Sequence, residues 1–422
     1  ENKINVHSDD EVPSIAIIPF ENKGKEEDVF YAYGISADLI SDCSSAGLIR
    51  VSSLSDIEKL DYTNLDNTQL SQKLFVRYIS QGALWKMGDM FQLSVELYDS
   101  KDKKVVWSDR WQEKWDNLPT IKMNLSDGLL KALDTKPKVE QKVETINPEA
   151  YEFYLKAKHK YEKRDNSDDI EIVRALLDKA LELDNNLIVA KVLIGTTYMQ
   201  IGDYIKSMEI YTSALKQTIV LDRKVVMAYC MEHIGIVNFY KGDLELALDY
   251  YERSIKIYDE LGDKKAKKTT LTNIGLVHSN KGDYDKALDY FDRALEIAEE
   301  FSSNYELLNI RGNIGLISLK KGDYDKALEC FISAFGIREE MGDKYGMGKS
   351  SNYIGDVYKQ KGDYKKALDY YGRSLAIRTE ISDKRGMSVI LNHIGDIHTN
   401  RGNFNKALEC FISAFGIREE MG

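Results

Sequence analysis

From about residue 148 to the end of the chain, apolar and polar positions recur at one fixed spacing, the distance in sequence from Gly202 to Gly242. Each period carries an Ile-Gly pair and, seven residues later, a Gly-Asp or Gly-Asn pair followed by Tyr, Leu or Phe. Apolar residues at helical spacing around the second pair predict two helices joined by a tight turn, in which glycine ends the first helix and Asp or Asn caps the next. The glycines of this turn are Gly202, Gly242, Gly282, Gly322, Gly362 and Gly402.

One such helix pair cannot bury its own apolar side chains, so the pattern predicts pairs that stack into a solenoid. We expect the missing bulk at Gly275 and Ala287 to let the two helices of one unit approach closely, and Phe291 to fill the space between units. The stretch Lys326–Gly342 recurs unchanged as Lys406–Gly422, which shows how strict the register is.

These units resemble the tetratricopeptide repeat in its 40-residue form. We count seven units over residues 148–422, the first of them degenerate, because the step from its Ala180 to Ala214 is shorter than the step from Ala247 to Ala287. The resemblance implies a right-handed superhelix whose first helices line a concave, protein-binding groove. It also implies a polar helix that caps the last unit, and because no such helix precedes Gly422, we expect a longer parent protein.

The segment 1–136 lacks this period and holds all four tryptophans. Short runs in which apolar and polar residues alternate, separated by segments with helical spacing, predict the element order β-α-β-α-β-β-β-α. This order indicates a small α/β domain at 13–136. It lies between a polar leader at 1–12 and a charged linker at 137–147, so the fold class is α+β multidomain, an α/β domain followed by an all-α solenoid. The predicted elements are Ser14–Ile18, Asp28–Ser45, Leu48–Ser52, Asn67–Leu74, Tyr78–Trp85, Phe91–Tyr98, Lys104–Trp111 and Leu118–Leu133.

This domain resembles the TolB-like amino-terminal domain of bacterial signalling proteins. The resemblance is carried mainly by Ser14-Ile-Ala-Ile-Ile-Pro-Phe-Glu-Asn22, by Tyr31-Ala-Tyr-Gly-Ile-Ser-Ala-Asp-Leu-Ile40 and by Val106-Trp-Ser-Asp-Arg-Trp111. It implies a sensory or assembly role and assigns no catalytic residue. In such proteins a class III nucleotide cyclase domain or a winged-helix DNA-binding domain often precedes this domain, sometimes with a membrane helix between them.

Composition excludes several classes of function. The net charge of −11, without a basic block, argues against nucleic-acid binding. The longest apolar run, near Ile15–Ile18, is too short to span a membrane. The four cysteines form no CxxC pair, which favours buried thiols in a reducing compartment. We therefore expect a soluble, cytoplasmic region, or an extracytoplasmic one if the parent carries an upstream membrane helix.

No catalytic, cofactor or metal site is predicted. Gly346-Met-Gly-Lys-Ser350 looks like a phosphate-binding loop, but Asp343 stands where that loop needs its first glycine. The segment also lies between two repeats, where a turn that opens a helix is the simpler interpretation. His393 and His398 are five residues apart, not the four that place two metal ligands on one helical face.

A partner site is predicted on the first helices, where an asparagine recurs beside the Ile-Gly pair. An amide both donates and accepts, so a ladder of amides can hold an extended peptide backbone. The alternative is that the amides solvate the groove or bridge adjacent helices. The candidate residues are Asn273, Asn313, Asn352, Tyr353, Asp356, Asn392, His393 and Asp396.

Together these features predict a non-catalytic, protein-binding regulatory region of a bacterial signalling protein. One alternative is the sensory part of a nucleotide cyclase whose catalytic domain lies upstream. Others are small-molecule binding by the N-terminal domain and a free-standing scaffold. The expected partner is a protein or peptide in the repeat groove, and homo-oligomerisation is left open.

Overall fold

The computed structural model describes residues 13–45, 49–135, 147–164, 168–301 and 304–421. The predicted leader and nearly all of the predicted linker lie outside these ranges. The N-terminal domain consists of β1 (Ser14–Ile17), β2 (Glu21–Asn22), α1 (Val29–Ser45), β3 (Arg50–Val51), α2 (Leu54–Glu58), α3 (Asn67–Leu74), β4 (Tyr78–Met87), β5 (Met90–Asp99), β6 (Lys104–Lys114) and α4 (Leu118–Ala132).

The strands form one mixed sheet in the order β3-β1-β4-β5-β6, with β2 paired to β4. Strand β1 runs parallel to both β3 and β4, whereas β4, β5 and β6 form the predicted antiparallel meander. Gly88 turns the first hairpin with φ of +65°, a conformation that glycine adopts at little cost. The predicted element order is confirmed, apart from β2 and α2, which are too short to give a periodic signal.

The sheet and α1 enclose the core of this domain. Along β5, Phe91, Leu93, Val95 and Leu97 are buried, in the alternation expected of a strand with one face in the core. Strand β1 is buried over its whole length, as expected of a parallel strand at the centre of a sheet.

The predicted helix pairs are confirmed over the described part of the chain, where fourteen helices follow the N-terminal domain. Gly242 ends α9 with φ of +86°, and Asp323 caps α14 by accepting the Lys326 N–H at 3.1 Å. The pairs are α5 (Pro148–Glu162) and α6 (Asp168–Leu183), α7 (Ile188–Gln200) and α8 (Tyr204–Val220), α9 (Lys224–Lys241) and α10 (Leu244–Leu261), α11 (Lys264–Lys281) and α12 (Tyr284–Phe301), α13 (Asn304–Lys321) and α14 (Tyr324–Met341), α15 (Lys344–Gln360) and α16 (Tyr364–Glu380), and α17 (Lys384–Asn400) and α18 (Phe404–Glu419).

In most pairs, the glycine of the Ile-Gly motif on the first helix contacts an aromatic ring on the second helix. A Cβ atom added to Gly355 would lie 2.6 Å from Tyr371 Cδ1, and one added to Gly235 would lie 2.6 Å from Tyr251 Cε1. Both rings are fully buried. The predicted close approach of the two helices is therefore confirmed. The aromatic ring of the second helix fills the space that a side chain on the glycine would need.

The chain divides into two compact units. The N-terminal unit reaches to Asn280 and includes 296–303, and the C-terminal unit holds Lys281–Leu295 and the residues from Asn304 onward. In the N-terminal unit the sheet domain and the first repeats share one hydrophobic core. Helix α1 packs on α5, where Tyr151 Oη donates to Asp38 Oδ2 at 2.6 Å.

Candidate functional site

The first helices of the last three repeats, α13, α15 and α17, carry seven of the eight predicted site residues, all in the C-terminal unit. Asn273 lies on α11 and belongs to the N-terminal unit. The residues on the three helices are Asn313 on α13, Asn352, Tyr353 and Asp356 on α15, and Asn392, His393 and Asp396 on α17.

The four asparagines do not form a single row. Asn273 and Asn313 stand two residues before the glycine of their helix, whereas Asn352 and Asn392 stand three before it. One residue along a helix rotates the side chain by about 100°, so the two pairs point in different directions. The recurring amides therefore fall into two structural positions.

Asn352 bridges neighbouring repeats. It is buried, its Oδ1 lies 3.1 Å from His393 Nδ1 in the next repeat, and its Nδ2 donates to Asp356 Oδ2 at 3.4 Å. A comparable link between repeats occurs in the N-terminal unit, where Asn273 Nδ2 donates to Glu232 Oε1 at 3.3 Å. At these two places the amides bridge adjacent helices, which is the alternative role considered from the sequence.

Asp356 belongs to the same polar network. Tyr371 Oη donates to Asp356 Oδ1 at 2.7 Å, and His393 Nδ1 lies 3.4 Å from that oxygen. Burial raises the pKa of the Asp356 carboxyl above its ordinary value, although the Tyr371 hydrogen bond and the neighbouring His393 act in the opposite direction. The rings of Tyr371 and His393 are 5.4 Å apart. These contacts hold α15, α16 and α17 together.

Sequence reasoning missed Tyr371, although the chain contains a signal for it. In the second repeat Thr196 directly follows the helix glycine, and its hydroxyl lies 2.8 Å from the hydroxyl of Tyr211. Asp356 and Tyr371 occupy the same two positions in a later repeat. The signal is therefore a polar residue after the glycine combined with tyrosine, rather than phenylalanine, at the ring position of the second helix.

The remaining predicted residues differ in exposure. Tyr353 stacks on Phe331 with ring centroids 5.0 Å apart, so it packs between repeats. Asp396 is exposed and pairs with Lys359 Nζ at 3.0 Å. Asn313 and Asn392 are half-buried. Of the predicted residues on these helices, Asp396 is therefore exposed, and Asn313 and Asn392 are half-buried to a degree similar to His393 and Asp356.

The segment that looks like a phosphate loop lies within the first two turns of α15. Asp343 caps this helix by accepting the Gly346 N–H at 2.8 Å, so that donor is already used. A Cβ atom on Gly346 would lie 2.5 Å from Arg338 Cδ, which explains the glycine by packing. Among the described residues, no cluster of three or more His, Cys, Asp or Glu side chains could hold a metal ion.

We therefore expect neither hydrolysis nor cyclisation of nucleoside triphosphates by the purified chain, and the same background rate for Lys349→Ala. The reason is that Lys349 lies on a packed helix with no phosphate-binding loop before it. Release of phosphate and pyrophosphate, measured with ATP and GTP in the presence of Mg²⁺, checks this. Turnover above background that disappears in Lys349→Ala would contradict it.

The fold and this surface define a protein with an N-terminal α/β domain and stacked helix pairs whose first helices carry polar groups. The tetratricopeptide repeat profile matches residues 186–260, 267–340, 306–380 and 346–420, which together make up more than half of the chain. The chain belongs to the tetratricopeptide repeat family.

The N-terminal segment, residues 10–127, matches a profile described as the second domain of HilA/YgeH-like transcriptional regulators. Its resemblance to the TolB-like domain stays a prediction. Over 185 residues the chain is 25% identical to putative adenylate cyclase 3 of Rhizobium meliloti (strain 1021), covering 42% of this chain and 31% of that protein. The chain thus spans about a third of the length of this relative.

Solved structures resemble the chain at low sequence identity. The apo form of RapI aligns with a TM-score of 0.46 and 18% identity, over 65% of this chain and 98% of that one. BtubC from P. vanneervenii aligns with a TM-score of 0.45 and 19% identity, over 55% of this chain and 92% of that one. Within the described ranges, no helix combines the length and apolarity needed to cross a lipid bilayer.

Proposed function

We propose that this chain is a non-catalytic regulatory region that binds a peptide or protein segment on the first helices of its last three repeats. The observation that carries this proposal is that the polar residues of α13, α15 and α17 fall into two groups. One group links neighbouring helices, and the other lies at the surface. Asn352, Asp356, Tyr371 and His393 bond to one another and fix neighbouring helices. A fixed surface binds with less loss of conformational freedom than a mobile one.

The exposed groups indicate the chemistry of the partner. The half-buried amides of Asn313 and Asn392 can each donate to and accept from an extended main chain. Asp396, exposed on α17 and paired with Lys359 at 3.0 Å, adds a carboxylate that can also accept from a main-chain N–H. We therefore expect an extended segment that binds mainly through its main-chain N–H and C=O groups.

The variant Asn313→Ala/Asn392→Ala tests this surface. Each lost hydrogen bond to a ligand backbone costs roughly 0.5–1.5 kcal/mol, so binding should weaken about fivefold to a hundredfold. Asn352→Ala is unsuitable, because it would also break the link to His393. Peptides selected from a displayed library on the wild-type chain serve as ligands, and titration calorimetry measures their affinities.

The matched control is Lys365→Glu, an exposed position on the second helix α16 that should leave affinity unchanged. Circular dichroism checks that each variant keeps the wild-type unfolding midpoint, so that a change in affinity is not caused by unfolding. Loss of binding in Lys365→Glu, with unchanged binding in the double asparagine variant, would place the site elsewhere.

A second candidate function is the sensory part of a larger signalling protein, either a nucleotide cyclase or a transcriptional regulator. The shared 185 residues with putative adenylate cyclase 3 favour the first, and the match of residues 10–127 to the second domain of HilA/YgeH-like regulators favours the second. The complete open reading frame decides between them, because it shows which domain, if any, precedes residue 1.

Four free cysteines support our placement of the region in a reducing cytoplasm.

A further inference from the structure

The two edges of the N-terminal sheet differ in length. The strand order places β3 at one edge and β6 at the other. Strand β3 has two residues, whereas β6 has eleven, from Lys104 to Lys114. Sheet edges in natural proteins are usually short or covered, because a long free edge can pair with a strand of another chain. Within the described ranges β6 pairs with β5 alone, so its other side is a free edge.

The backbone groups on this free edge follow from the hydrogen bonds on the side of β5. Trp115 directly follows β6, and its N–H donates to the carbonyl of Asp89, the residue before β5, at 2.6 Å. Hydrogen-bonding groups alternate in direction along an antiparallel strand, so those of Ser108, Arg110 and Gln112 point away from β5. All three residues are exposed. This part of the edge therefore presents N–H and C=O groups to an added strand.

One of these donors is shielded by a neighbouring side chain. Asp109 Oδ1 accepts the Arg110 N–H at 2.7 Å. Because Asp109 is itself exposed, its side chain can turn away and leave this N–H to the carbonyl of an added strand.

The two faces of β6 differ in chemistry. Arg110 and Lys114 share one face, since residues an even number of positions apart along a strand point the same way, and both are exposed. Trp107 and Trp111 share the other face, where they are half-buried with ring centroids 6.1 Å apart. Opposite charges and pairs of aromatic with β-branched residues stabilise neighbouring strands. The edge therefore fits a strand that alternates carboxylates with β-branched residues.

A second copy of β6 fits this edge poorly. A two-fold axis would pair two such strands in the antiparallel direction, and like charges directly opposite each other destabilise such a pair. Pairing centred on Asp109 or on Arg110 opposes that residue to its own copy. Pairing centred on Trp111 opposes Asp109 to Glu113, and pairing centred one residue further on opposes Arg110 to Lys114. Pairing centred nearer the start of β6 meets the irregular register there.

We infer that the free edge of β6 binds an extended segment of a partner protein, in which carboxylates stand opposite Arg110 and Lys114 and β-branched side chains stand beside the two tryptophans. The segment adds a strand to the sheet and is held mainly by main-chain hydrogen bonds. Strand β6 belongs to the N-terminal unit, whereas the proposed groove site lies on α13, α15 and α17 of the C-terminal unit. Either site can therefore fail its test without the other.

The probe is a fluorescent, end-blocked peptide of the sequence Glu-Lys-Thr-Val-Glu-Lys-Thr-Val, titrated against the full chain and followed by anisotropy. Paired in the antiparallel direction, its two glutamates lie opposite Lys114 and Arg110, and its first valine lies opposite Trp111. We expect saturable binding that weakens about fivefold or more in Arg110→Glu, because an attractive cross-strand pair becomes a repulsive one. A peptide with lysine in place of the second glutamate should recover the affinity of this variant.

The matched control is Lys73→Glu, an exposed position on α3 that changes the net charge by the same amount. This variant should bind the peptide as the wild type does. Equal weakening in Lys73→Glu and Arg110→Glu would mean that the peptide responds to overall charge and not to β6, which overturns the proposal.

Two N-methylated peptides show whether main-chain pairing holds the complex. In the expected register the amides of the third and fifth residues face β6, and those of the fourth and sixth face away from it. Methylation of the third and fifth amides should abolish binding, whereas methylation of the fourth and sixth should leave it intact. Equal affinity of the two methylated peptides would show that the peptide does not add as a strand, and would overturn the proposal.

Amide exchange measured by NMR identifies any other occupant of the edge. We expect the amides of Ser108 and Gln112 to exchange fast in the free chain and slowly in the peptide complex, and that of Trp111, which faces β5, to exchange slowly in both. Slow exchange of the first two in the free chain at every concentration would show that another segment of the chain covers the edge. Slow exchange only at high concentration would assign the edge to a second copy. Either result overturns the partner protein as occupant.

Discussion

Replacing Gly315 with leucine should destabilise the C-terminal unit by roughly 1–3 kcal/mol or more, the usual cost of overpacking a filled core. A Cβ atom at this position would lie 2.7 Å from Phe331 Cε1 and 2.8 Å from Cζ. Phe331 is buried and stacks on Tyr353 of the next repeat, so it has little room to move. Urea denaturation followed by circular dichroism measures the change.

Gly312→Leu is the matched control, since it lies on the same helix and a Cβ atom there would meet no atom within 4 Å. This variant should be as stable as the wild type or slightly more so, because leucine favours the helix over glycine. Equal destabilisation by both variants would show that the ring contact is not the cause. Hydrogen exchange should show that residues 13–135, in the N-terminal unit, keep their protection in Gly315→Leu.

The repeat period predicted the solenoid helices well because the same signal recurs in unit after unit. Helix ends were predictable at positions such as Gly242 and Asp323, where local backbone chemistry decides the conformation. Strand β2 and helix α2 were missed because two and five residues are too few to show a period. The packing of α1 on α5 was missed because it joins residues such as Asp38 and Tyr151, 113 positions apart.

The candidate site was predictable at the level of helices and not at the level of side-chain contacts. That asparagines recur near the Ile-Gly pair is visible in the sequence, and so is the one-residue offset between Asn313 and Asn352. The link between Asn352 and His393 joins residues 41 positions apart and depends on how two repeats stack. The Asn352 amide therefore takes part in the contact between repeats, which repeat periodicity alone does not reveal, and its part in binding a partner stays a prediction.

A second polar network, in the N-terminal unit, makes stability depend on pH. Glu232 on α9 is buried, and its carboxylate accepts hydrogen bonds from Tyr258 Oη at 3.1 Å and Asn273 Nδ2 at 3.3 Å. Burial raises the pKa of the Glu232 carboxyl to about 7, and these hydrogen bonds do not offset that effect. Burial likewise raises the pKa of the nearby Asp263 to about 6.

The folded state therefore holds the Glu232 proton more tightly than the unfolded chain, in which the pKa is near 4.5. The contribution of Glu232 to stability is therefore fully present below pH 4.5, and it is lost as the pH rises through the folded pKa near 7. A shift of this size corresponds to about 3 kcal/mol once the folded carboxyl is fully ionised. Glu232→Gln, which mimics the protonated form, should lack this loss.

We expect Glu232→Gln to exceed the wild type in unfolding free energy by up to about 3 kcal/mol at pH 8, with the advantage shrinking steadily towards pH 5. Burial lowers the pKa of His233 to about 4, so this histidine also makes stability depend on pH, but both proteins carry it and the comparison cancels its effect. The control Glu252→Gln, an exposed glutamate on α10, should follow the wild-type curve. Urea denaturation at half-unit steps from pH 5 to 8 gives the three curves. If the Glu232→Gln curve runs parallel to the wild type across this range, Glu232 ionises in the folded protein at its ordinary pKa, and the pH dependence comes from another group.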